Sequence, residues 1–142
     1  MRIDSETGAV DLPELGGALT PMTRRDEWLA SPAAQGGDAG VHNELWYSYA
    51  ARAFAVDGRP WTLRAWFHGQ MLWRVEPMAL GDEFGTSWSD WSETKEQARR
   101  AFQDQWLTQV LGPGRTFHVG HGGVHVRCAR GIQQHPHRRC GP

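Results

Sequence analysis

Between Leu45 and Leu80 the chain alternates with a period of two, and it does so three times with turn residues between the runs. Few folds accommodate that pattern, because successive side chains of a strand point to opposite faces of a sheet. In the first run Tyr47, Tyr49, Ala51, Ala53 and Ala55 share one face. Trp46, Ala50, Phe54 and Val56 share the other with Ser48 and Arg52. In the second, Trp61, Leu63, Ala65 and Phe67 alternate with Thr62, Arg64, Trp66 and His68; in the third, Met71, Trp73 and Val75 alternate with Leu72, Arg74 and Glu76. Asp57-Gly58 separates the first pair of runs and His68-Gly69-Gln70 the second. Glycine accepts the positive φ that a tight hairpin needs. The pattern predicts three antiparallel strands in a meander, the last extended through Met78–Leu80 past a kink at Pro77.

The flanking segments supply the second layer. Ile3 and Val10 anchor two short strands within residues 1–12 around Ser5-Glu6-Thr7-Gly8, and Pro13, which has no N–H, ends the second. A short helix over about 23–31, capped by Thr23 with Asp26 and Glu27 in its first turn, is expected to bury Trp28 and Leu29. Residues 31–40 (SPAAQGGDAG) read as a loop, and so do residues 81–92. A long helix over about 93–111 follows, capped by Asp90 or Ser92, with Asp90 and Glu93 at capping-box spacing. Ala98, Phe102, Trp106 and Val110 recur every fourth residue, and Ala101, Leu107 and Leu111 widen that stripe. Lys95, Arg99, Arg100, Gln103 and Gln105 are expected in solvent. Gly112-Pro113 stops the helix. The expected fold is α+β: an antiparallel sheet (N-terminal hairpin plus three-stranded meander) with one long and one short helix packed on one face.

Composition bounds the function. With 15 Lys+Arg against 16 Asp+Glu the formal net charge is −1, so there is no basic footprint and no nucleic-acid partner is expected. The start, MRIDSETG, lacks the basic-then-apolar pattern of a secretory signal, and no apolar run nears the ~20 residues of a membrane span. A cytoplasmic location and no membrane partner are expected. All eight Trp precede residue 110, whereas both Cys and five of the seven His follow residue 116. The expected organisation is a single α+β domain over 1–116 and an atypical His/Cys/Arg-rich tail over 117–142.

That tail has two readings. His118, His121, His125 and Cys128 are closely spaced imidazoles and a thiol, the ligand types zinc prefers, and His135, His137 and Cys140 follow them. Alternatively, its Arg, His, Gly, Cys and Pro are what a GC-rich gene yields when translated out of frame. Shifted one nucleotide forward from Phe117, the codons can spell two alternating runs around an Asp-Ala-Arg-Glu-Gly turn, a β-hairpin pattern that would close the sheet.

Catalytic signatures are scarce. GxSxG, GxxxxGK[ST] and HExxH do not occur, Asp82 and Glu83 sit in a Gly-flanked loop, and His42 and His68 have no partner visible in the sequence. Alternation places Trp46, Arg52, Arg64 and Trp66 on one face as a candidate binding platform, with Trp73 and Arg74 on opposite faces. Trp88-Ser89-Asp90-Trp91-Ser92 is similar to the WSxWS motif of class I cytokine receptors, but those are secreted β-sandwiches with paired cysteines upstream, and this chain has no Cys before 128.

Residues 1–112 resemble small bacterial α+β proteins encoded near polymorphic or contact-dependent toxins, some of them of the immunity type. The resemblance is carried by Ile3-Asp4 to Gly8 followed by Leu12-Pro13, by Trp61 after the Gly58 turn, by Trp91-Ser92 leading a Glu-containing helix start, and by Trp106-Leu107 to Leu111-Gly112. It implies a non-enzymatic protein that binds a protein partner, a toxin-neutralising immunity protein, with no cofactor and no catalytic residues to carry over. The alternative is a metal-binding protein or small metalloenzyme holding Zn on the C-terminal His/Cys cluster.

Overall fold

A computed structural model describes residues 1–85 and 87–112 in full, and the backbone of His125–Val126. Strands β1 (Arg2–Ile3), β2 (Val10–Leu12) and β3 (Gly17–Leu19) form a small antiparallel sheet of their own. The second, larger sheet contains β4 (Asp38–Asn43), β5 (Trp46–Ala50), β6 (Phe54–Val56), β7 (Arg59–His68), β8 (Met71–Ala79) and β9 (His125–Val126). Its order is β4-β5-β7-β8-β9, with β6 also paired to β7. All pairs are antiparallel except β8–β9, which is parallel and joins Arg74 and Val75 to His125 and Val126. Helices α1 (Arg25–Ala30) and α2 (Glu93–Leu111) complete an α+β fold.

The expected meander is β5/β6–β7–β8. Asp57 and Gly58 both take positive φ (50° and 75°), the conformation a two-residue hairpin between Val56 and Arg59 requires. Pro77 does not kink β8. It pairs in register with Leu63, and among the described residues the other edge of β8 is paired only at Arg74 and Val75, so the missing N–H costs no ladder bond there. At the end of that edge the Ala79 N–H is taken by the Gln103 side-chain oxygen of α2 at 2.9 Å.

One face of the meander is the core. Trp61, Leu63, Ala65, Phe67, Val75 and Ala79 are no more than 1% exposed and pack with Val10, Leu12 and Leu19 of the small sheet and Trp28 of α1. Burial of each of the larger side chains, such as Leu63, Phe67 and Val75, contributes about 1.5–3 kcal/mol. The α2 helix joins through Leu107 and Leu111, and Trp61 lies 5.9 Å from Phe102 and 4.9 Å from Trp106, centroid to centroid.

Four local expectations are corrected. The run Leu45–Val56 is two strands, not one: Ala51–Ala53 lie outside the strands, and the break shifts parity so that Phe54 and Val56 are buried in the core along with Ala51. Residues 38–40, expected as the end of a loop, instead begin β4 (Asp38–Asn43); all six residues of that strand are exposed, so no alternation marked it. The α1 helix begins at Arg25, because the Thr23 hydroxyl instead accepts the Thr20 N–H at 2.9 Å; Trp28 is buried but Leu29 is 44% exposed. The buried stripe of α2 is rotated by about one residue from that expected. Ala98 and Val110 are exposed, Gln103 is 1% exposed, and Arg99 donates to the carbonyls of Phe84 and Gly85 at 2.8 and 3.1 Å. Polar side chains that satisfy backbone groups took positions that hydrophobicity alone gave to alanine and valine. Ser92 caps α2 by accepting the Lys95 N–H at 3.2 Å, while Asp90 pairs with the Lys95 ammonium.

Candidate binding face

The second face of the meander carries the aromatic and basic side chains. Register places Trp46 opposite His68, Ser48 opposite Trp66, and Ala50 opposite Arg64; across the next ladder Arg64 faces Glu76, Trp66 faces Arg74, and His68 faces Met71. Trp46, Arg64 and Trp66 therefore do share one face. Arg52 does not belong to it. It lies in the break between β5 and β6, where its guanidinium donates to the carbonyls of Pro32 and Gln35 at 3.0 and 2.9 Å and ties down the preceding loop.

Simple alternation separates Trp73 from Arg74. The structure brings them to the same face, because the β7–β8 register shifts between Trp66 and Phe67: Trp66 pairs with Arg74, Phe67 with Leu72, and Trp73 is the extra residue of a bulge. Trp73 then meets Trp46 edge to face, centroids 5.5 Å apart at 84°, and the Trp46 ring also lies 4.7 Å from His68. Trp46 and Trp73 are 37% and 39% exposed, Met71 60%, and Leu45, just before Trp46, 55%. No alternation rule predicts a bulge, so this cluster was not legible in the sequence.

Towards the middle of the face the side chains are locked by polar contacts. Glu76 accepts from the Trp66 indole N–H at 3.0 Å and pairs with Arg74 at 2.6 Å, and the Arg74 guanidinium lies 5.2 Å from the Trp66 ring. Ser48, fully buried, accepts from both Arg64 (3.0 Å) and the Val41 N–H (2.9 Å), which fastens edge strand β4 onto the face. The arrangement has no nucleophile paired with a base. Chemically it offers a preorganised surface of indoles and guanidinium groups, suited to burying against another molecule.

Of the other sequence candidates, His118, His121 and Cys128 lie outside the described residues, and His125 is described only as a backbone partner of Arg74 in β9. Among the described residues no group of three His, Cys, Asp or Glu side chains is placed to hold a metal ion, and no helix is long and apolar enough to cross a membrane. Trp88 and Trp91 of the WSxWS-like stretch are 75% and 53% exposed; Trp88 begins a single 3-10 turn before α2 and Trp91 follows it. No protein-family model, curated protein or solved structure matches the chain.

Proposed function

We propose that this is a non-enzymatic protein that binds a protein partner through the outer face of its meander, and that it acts as an immunity protein neutralising a toxin. One observation carries the reading: an edge-to-face Trp46–Trp73 pair, each ring more than a third exposed, held on a rigid sheet beside Met71 and His68. Tryptophan is the residue type most enriched where protein interfaces concentrate their energy, and a preformed pair loses little side-chain entropy on docking. An inhibitor that occludes a toxin needs a complementary surface and no catalytic set, which agrees with the chemistry of the face. The cytoplasm, where a cell must intercept such a toxin, is the corresponding location.

Growth rescue tests this. The protein encoded beside this gene is expressed in a heterologous cell, with and without the chain. Rescue by the wild-type chain, lost in a Trp46→Ala/Trp73→Ala variant of unchanged circular dichroism, supports the reading. Full rescue by that variant moves the interface off this face, and no rescue by the wild-type chain removes the immunity reading.

A further inference from the structure

We draw no further inference here: the strongest candidate, the apolar surface patch of the exposed Trp88 and Trp91 side chains at the turn before α2, carries nothing because nothing in the structure shows what covers it.

Discussion

The two faces of the meander use the same residue types to opposite ends. On the inner face Trp61 is 1% exposed and packs against Phe102 and Trp106 of α2; on the outer face Trp46 and Trp73 meet each other and remain more than a third exposed. What separates them is geometry rather than chemistry. The pleat sends alternate residues of β7 to opposite sides, and α1, α2 and the small sheet cover only one of those sides. A tryptophan count is thus uninformative by itself. Its meaning depends on which side of the sheet each ring occupies, and for Trp73 that is decided by a single inserted residue.

The largest expected effect tests the inner face. Trp61→Ala removes a ring that touches both the sheet and α2, and is expected to cost about 3–5 kcal/mol in denaturant unfolding. Trp46→Ala on the outer face should cost clearly less, because more than a third of the ring is already in solvent and its removal leaves no enclosed cavity. Equal losses at the two positions would break the distinction between them.

Next comes the join between the inner face and α2. The Gln103 side chain serves as a substitute strand partner, accepting the Ala79 N–H at the end of β8. Gln103→Met keeps the volume and leaves that N–H without an acceptor, for an expected loss of about 1–3 kcal/mol. Gln105→Met, on the exposed side of the same helix, should change stability by less than about 0.5 kcal/mol. Thermal or denaturant unfolding of the pair decides whether Gln103 holds the helix to the sheet.

Gln103 also marks where sequence reasoning stops. The meander, its two hairpin turns, the Gly112 helix stop and the covered side of β7 were legible, because each depends on local periodicity or on a residue with restricted backbone freedom. Trp61, Leu63, Ala65 and Phe67 face inward as alternation requires. Long-range satisfaction of backbone groups was not legible: nothing near Gln103 in sequence announces the free N–H of Ala79. The same holds for the bulge that turns Trp73 outward, and for the break at Ala51–Ala53 that removes Arg52 from the outer face. Three of the four residues assigned to that face, Trp46, Arg64 and Trp66, do share it, while Trp73, Met71 and His68 complete it.

The outer face itself is tested by a double-mutant cycle on Trp46 and Trp73. If the edge-to-face contact is formed in the free protein, the two alanine substitutions should be non-additive by about 0.5–1.5 kcal/mol in unfolding experiments. Additive effects would mean that the rings do not meet in solution, and the preformed pair on which the binding proposal rests would be lost.

The smallest effect concerns the rim of the inner face. Arg59 lies 4.5 Å from the Phe102 ring centre and 5.2 Å from that of Phe84, covering the aromatic end of the core, and it is held there by an ion pair with Glu83. Hydrogen bonding to Arg59 is the main cause that lowers the Glu83 pKa below its ordinary value of 4.5. A carboxyl lowered on folding stabilises the protein above its unfolded pKa, and that contribution disappears as pH falls through the folded value. Because Glu83 is half exposed, solvent screens the pair and the expected effect is small. Glu83→Gln should therefore lower the melting temperature slightly at pH 7, and the difference from wild type should close as the pH falls below 4.5 and through the lowered value of the folded state. A difference that persists unchanged in acid would show that Glu83 acts through packing, and that Arg59 keeps its place over Phe102 without the ion pair.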